Sequence, residues 1–357
     1  MVRGTIMRGF RGLHPSEADA VTGDIRNGVG SVVLFDVDGP SGGERARNIE
    51  SPSQLAELCA HLSAAAGSAP LLISIDMEGG LVCRLRERYG FTPTRSAQET
   101  GSSGDPQHTY EAAAGIADSL AAAGINLNLA PCVDVNVNPD NPIIGSKKRS
   151  YSADPEAVAE HAAAFIRAHR DRGILTCLKH FPGHGSSQGD THVGFTDVTA
   201  TWSRDELIPF RHLIEAGLVD AIMTAHVVNT RLDGVPATLS KPIISDLLRH
   251  ELGFDGVVIS DDMGMGAIAR RYGFGEALVS ALHAGVDMLA LANQGTDYNE
   301  DIVDQAVQTV IDAVDSGRLE LSRVEEAFGR CTNLRQRVTT DIMLDGLDSD
   351  PDKETLT

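Results

Sequence analysis

Apolar positions along the chain fall into two alternating kinds of segment. Short, nearly unbroken runs read as strands buried on both faces, as parallel sheets require: Ser31-Val32-Val33-Leu34-Phe35, Leu71-Leu72-Ile73-Ser74-Ile75, Ile125-Asn126-Leu127-Asn128-Leu129, Ile174-Leu175-Thr176-Cys177-Leu178, Ala221-Ile222-Met223-Thr224, Val257-Val258-Ile259 and Val286-Asp287-Met288-Leu289-Ala290-Leu291. Between them the pattern lengthens to that of amphipathic helices, over about 52 to 66, 109 to 123, 155 to 171, 204 to 216, 241 to 252, 274 to 284 and 300 to 315. Local punctuation agrees. Asp154-Pro155 places Pro at a first helical position, Gly124, Gly217, Gly253 and Gly285 stand where helices should stop, and Ser203 with Glu206 has the spacing of a capping box.

Strict alternation of strand and helix predicts a parallel sheet with helical crossovers, either open or closed. The polar residues decide between these. Nearly every run ends in a residue capable of chemistry: Asp36, Asp76 and Glu78, Asp134, Lys179 and His180, His226, Asp261 and Asp262, and Asn293. An open sheet gathers its ligand at one switch point, whereas a barrel collects residues from all its strands around one mouth. The expected fold class is therefore α/β, a single TIM-type (β/α)8 barrel over roughly residues 5 to 338, with its active site at the C-terminal ends of the strands. Residues 339 to 357 are acidic and turn-rich, and are expected to form a disordered tail.

Composition narrows the function. The chain has 357 residues and a formal charge of −20, which repels a phosphate backbone, so no nucleic-acid partner is expected. Such acidity suits a salt-rich cytoplasm as well as ordinary solubility. No apolar stretch is long enough to span a membrane, and the N-terminal segment lacks a signal peptide's apolar centre; no membrane insertion and a cytoplasmic location are expected. Five scattered cysteines without a C-x-x-C pair signal neither a disulfide framework nor a zinc knuckle.

The densest chemistry lies in Lys179-His180-Phe181-Pro182-Gly183-His184-Gly185-Ser186-Ser187-Gln188-Gly189-Asp190-Thr191-His192. Two ionisable residues close a strand, and a loop then brings an Asp-x-His pair toward the same mouth. An Asp at that spacing can fix a histidine's tautomer and raise its basicity, making His192 a candidate general acid/base supported by Asp190. His180, His184, Asp190 and His192 are also zinc-ligand types, but Pro182, Gly183 and Gly185 oppose the helix on which an H-x-x-x-H pair would share a face. In Ser260-Asp261-Asp262-Met263, adjacent carboxylates at a strand end point opposite ways, so one can enter the mouth as a candidate nucleophile while the other turns to the backbone or a neighbouring loop; an Asp that caps the following helix is the competing reading. Asp76-Met77-Glu78-Gly79-Gly80-Leu81-Val82-Cys83-Arg84 surrounds a glycine pair with acids and an Arg, a mixture suited to hydroxyl-rich ligands. A long polar loop, 138 to 151, can carry Arg149 over the same mouth.

At these residues the chain resembles glycoside hydrolase family 3, in particular its single-domain bacterial β-N-acetylglucosaminidases. The Lys-His-Phe-Pro-Gly-His-Gly and Asp-x-His segments, Ser-Asp-Asp-Met, Asp-x-Glu-Gly-Gly, and Ala225-His226-Val227 followed by Pro236-Ala237-Thr238-Leu239-Ser240 stand in the family's order. The resemblance implies retaining removal of terminal β-linked N-acetylglucosamine from a glycan or muropeptide fragment, with peptidoglycan recycling as the setting. By it, Asp261 is the nucleophile, His192 with Asp190 supplies the proton, and Asp76, Arg84, Arg149, Lys179 and His180 hold the sugar. No cofactor and no metal are implied. Leu81 departs from the subgroup's usual Arg, and Ser186-Ser187-Gln188 extends a loop that often carries Asp directly after His-Gly. No large second domain follows the barrel segment, which disfavours a plain β-glucosidase. A phosphorylase or transglycosylase on the same scaffold, a catalytically silent sugar-binding barrel and a metal-dependent hydrolase are the competing readings.

Overall fold

In the computed structural model, residues 1–39, 45–191, 194–295 and 298–345 are described, with the backbone alone for 269–270 and 339–345. Eight parallel strands follow one another around a ring: β1 (Ile6–Gly9), β2 (Ser31–Leu34), β3 (Leu72–Ile75), β4 (Leu127–Asn128), β5 (Leu175–Phe181), β6 (Ala221–Thr224), β7 (Val257–Ile259) and β8 (Leu289–Leu291). β8 pairs with β1, and an isolated parallel bridge from Ile259 to Met288 joins β7 to the segment entering β8. The sheet is thus nearly closed, as the distribution of polar strand ends predicts.

The strand patterns explain the closure. Val33, Leu72, Leu127, Leu175, Met223, Val257 and Ile259 pack together inside the ring, whereas their neighbours Val32, Leu34, Ile73, Ile222 and Val258 pack outward against the helices. Successive side chains point to opposite faces and both faces are buried, which is why the runs show no polar alternation. Cys331, Leu334 and Val338, from the final helix Leu321–Asp345, join the interior cluster. Replacing an interior residue such as Ile259, fully buried, with Ala should cost about 2–5 kcal/mol.

Three features differ from the sequence expectations. β1 is a strand that the hydrophobic pattern does not mark: it contains Arg8, only 1% exposed, whose charge is met by Asp24. The final helix continues to Asp345, through residues assigned to the tail; 346 to 357 lie outside the described residues. Ser203 caps the backbone N–H of Asp205 at 3.3 Å, but the Glu206 carboxylate accepts from the Gly185 and Ser186 N–H groups at 3.1 and 3.3 Å instead of returning to Ser203. The box is not formed because the side chain is drawn into the interior. Elsewhere the punctuation holds: Asp154 caps the helix Pro155–Arg170, and Gly124, Gly217, Gly253 and Gly285 all have positive φ. Among the described residues no helix is long and apolar enough to cross a membrane.

Candidate active site

A cavity of about 510 Å³ opens at the C-terminal end of the barrel, within the range typical of small-molecule sites. Met7, Val33, Leu129, Met223 and Ala290 contribute apolar lining, and Asp76, Arg84, Arg149, Lys179, His180 and Asp261 contribute polar groups. The polar groups arrive from the ends of β3, β5 and β7 or from the loops that follow β3 and β4. β3 leads directly into a hairpin, Met77–Gly79 with Val82–Cys83, that carries Glu78 and aims Arg84. Asn128 of β4 fixes its start: the amide accepts the Met77 N–H at 3.0 Å and donates to the Met77 carbonyl at 2.9 Å.

Two buried cations and two acids form one ion-pair cluster beside the cavity, which Asp76, Arg149 and Lys179 line. Lys179 Nζ lies 2.6 Å from Asp76 Oδ1 and 2.7 Å from Glu78 Oε1. Arg149 donates to both Glu78 oxygens, from Nε at 2.8 Å and Nη2 at 2.7 Å, and Nη1 donates to the Ile143 carbonyl at 3.2 Å. Burial alone would raise the Asp76 and Glu78 carboxyls; Lys179 and Arg84 outweigh it at Asp76, while Arg149 and Lys179 hold Glu78 down at about 2. Both acids are therefore anionic at neutral pH. Glu78, with both oxygens engaged, organises the cations, whereas Asp76 retains lone pairs for ligand hydroxyls.

Asp134, after β4, fixes the histidines. Its Oδ2 accepts His180 Nδ1–H at 2.7 Å, so His180 Nε2 is left to accept from Arg149 Nη2 at 3.3 Å. Its Oδ1 accepts the His184 backbone N–H at 2.7 Å. Burial pushes the Asp134 carboxyl up, but His180 and His184 hold it well below the ordinary range. The loop from Gly183 to Ser187 fits tightly against its neighbours: a Cβ on Gly185 would lie 1.7 Å from the Val135 carbonyl oxygen.

At the end of β7, Asp261 and Asp262 have different surroundings. Asp262 Oδ1 accepts the Ala292 N–H at 2.9 Å and the Gly264 N–H at 3.2 Å, tying the turn to the end of β8. Asp261 Oδ1 accepts the Asp262 N–H at 2.8 Å, and Asp261 remains half-buried at the cavity. A half-buried carboxylate at a cavity bordered by fixed cations is able to act as a nucleophile.

Six residues singled out from sequence thus share one cavity. Asp190 is half-buried in the loop after β5 and is not among the cavity's lining residues, and His192 lies outside the described residues. His180 and His184 do not form the zinc set considered from sequence, since both His184 ring nitrogens face hydroxyls. Sequence reasoning gave no individual role to Glu78, or to Asp36 and Arg86, which pair at 2.6 Å. The acids at consecutive strand ends are the signal that marks them.

The family model described as the glycosyl hydrolase family 3 N terminal domain matches residues 17–334. A protein named beta-hexosaminidase A from Pseudoalteromonas piscicida is 32% identical over 88% of this chain and 54% of its own length. One named beta-hexosaminidase from Nitrosomonas eutropha is 36% identical over 86% of each. The solved family 3 beta-N-acetylglucosaminidase from Paenibacillus sp. str. FPU-7 is similar over 100% of this chain and 64% of that one, with 38% identity and a TM-score of 0.85. The chain therefore spans about half the length of the first of these relatives and under two thirds of the solved structure.

Proposed function

Because the chain belongs to glycosyl hydrolase family 3, we propose that it is a retaining exo-β-N-acetylglucosaminidase acting on glycans or muropeptide fragments. Asp261 attacks the anomeric carbon while His192, supported by Asp190, protonates the departing oxygen. Water, deprotonated by the same histidine, then releases the sugar from Asp261 with its configuration retained. Asp76, Arg84, Arg149, Lys179 and His180 hold the hydroxyls and acetamide.

The observation that carries this reading is the convergence of Asp261 with the five sugar-holding candidates on one cavity. Fixed donors and acceptors suit a neutral polyol, and the half-buried carboxylate supplies the nucleophile. The names of the relatives support the choice of N-acetylhexosamine.

Product analysis with 4-nitrophenyl β-N-acetylglucosaminide, with and without phosphate, tests the reading. Free N-acetylglucosamine in both buffers, with little cleavage of the β-glucoside, is expected. A sugar 1-phosphate would make the protein a phosphorylase, and no turnover of either glycoside would overturn the glycosidase reading.

A further inference from the structure

We infer that His184 is a positioning residue, holding Thr191, the residue between Asp190 and His192 in the sequence, through a hydrogen bond between its ring and the Thr191 hydroxyl. The inference rests on the proposed role of Asp190 and His192 in proton transfer. Thr191 is peptide-bonded to both, and is 1% exposed with Oγ1 3.2 Å from His184 Nε2.

Both ring nitrogens of His184 are engaged. Ser187 Oγ lies 2.8 Å from Nδ1 and is itself held by Asn141 Nδ2, which donates to it at 3.0 Å, while Nε2 meets the Thr191 hydroxyl. Burial pushes the His184 imidazole down to about 4 despite Asp134, so at neutral pH the ring is uncharged, with one nitrogen donating and the other accepting. Its backbone is held by Asp134, which also orients His180, and the Thr191 carbonyl accepts the Ala267 N–H at 3.3 Å. These hydrogen bonds link the sugar-facing His180, through Asp134 and His184, to Thr191. Ser187 comes from the stretch where this sequence departs from its subgroup's usual pattern.

A displaced general acid harms glycosides with poor leaving groups and spares those that need no proton, a distinction that general loss of structure would not reproduce. The test compares kcat/KM of wild type, Thr191→Val, Thr191→Ser and Ser187→Ala on N,N′-diacetylchitobiose and on 2,4-dinitrophenyl β-N-acetylglucosaminide. This ratio reports the first, glycosylation step. Thr191→Val should lose about tenfold or more on the disaccharide and stay within about threefold on the dinitrophenyl glycoside. Thr191→Ser should restore most of the loss, and Ser187→Ala should show the same selectivity more weakly. Equal losses on both substrates, or none, would overturn the positioning role. Wild type inactive on both would overturn the glycosidase reading and the positioning role with it.

Discussion

Glu78 receives Arg149 as a two-pronged pair, Nε to Oε2 at 2.8 Å and Nη2 to Oε1 at 2.7 Å, with both side chains less than a tenth exposed. Lys179 shares the same carboxylate. One acid thereby fixes two cations that border the cavity, and its loss would leave both buried with less compensating charge.

Glu78→Ala should therefore destabilise the fold by about 3–5 kcal/mol, the range for breaking a buried pair, and abolish turnover. Denaturant unfolding of both proteins checks the first effect. The pair's contribution is present above the ordinary glutamate value and is lost as pH falls toward about 2, the value at which Glu78 protonates in the fold. A variant as stable as wild type at pH 7 would contradict the clamp.

Glu206 has the opposite sign. Burial, with a smaller push from Asp134, raises its carboxyl to about 7, and Oε1 has no hydrogen-bond partner among the described residues. The unfolded chain ionises this group near 4.5 while the fold retains the proton, so stability declines as pH rises from about 4.5 to 7. Glu206→Gln can keep an oxygen on the Gly185 and Ser186 N–H groups and lacks that decline. Its stability relative to wild type should grow between pH 5 and 8 by up to about 3 kcal/mol, read from denaturant midpoints at the two pH values. Parallel curves would contradict the raised value.

Activity should survive exhaustive chelation. Cys132, Asp134 and His180 have donor atoms within 4.8 Å of one another, but they already satisfy each other. The thiol and His180 Nδ1–H both donate to Asp134 Oδ2, and burial followed by Asp134 pushes the thiol well above its ordinary value, leaving no thiolate ligand. A kcat/KM that falls on chelation and returns with added zinc would contradict this.

Legibility in the sequence followed the range of the forces involved. Strands such as Val257–Ile259 and the helix stop at Gly285 are set by local pattern and backbone freedom, and both stand as read. The candidates Asp76, Lys179 and Asp261 were legible because a barrel gathers strand ends, whatever the intervening loops do. β1 was not, because the burial of Arg8 depends on Asp24 in the following helix. Glu206 misled for the same reason: its spacing from Ser203 suggests a local cap, but N–H groups some twenty residues earlier claim the side chain. The clamp of Glu78 on Arg149 spans 71 positions, beyond any periodicity.

The most direct test of the account is to trap the covalent intermediate with a 5-fluoro N-acetylglucosaminyl fluoride and locate it by peptide mass spectrometry. One sugar on Asp261 per active site, and none in Asp261→Ala, is the predicted result. A sugar attached to another residue, or an enzyme that keeps full turnover as Asp261→Ala, would contradict the assignment of the nucleophile.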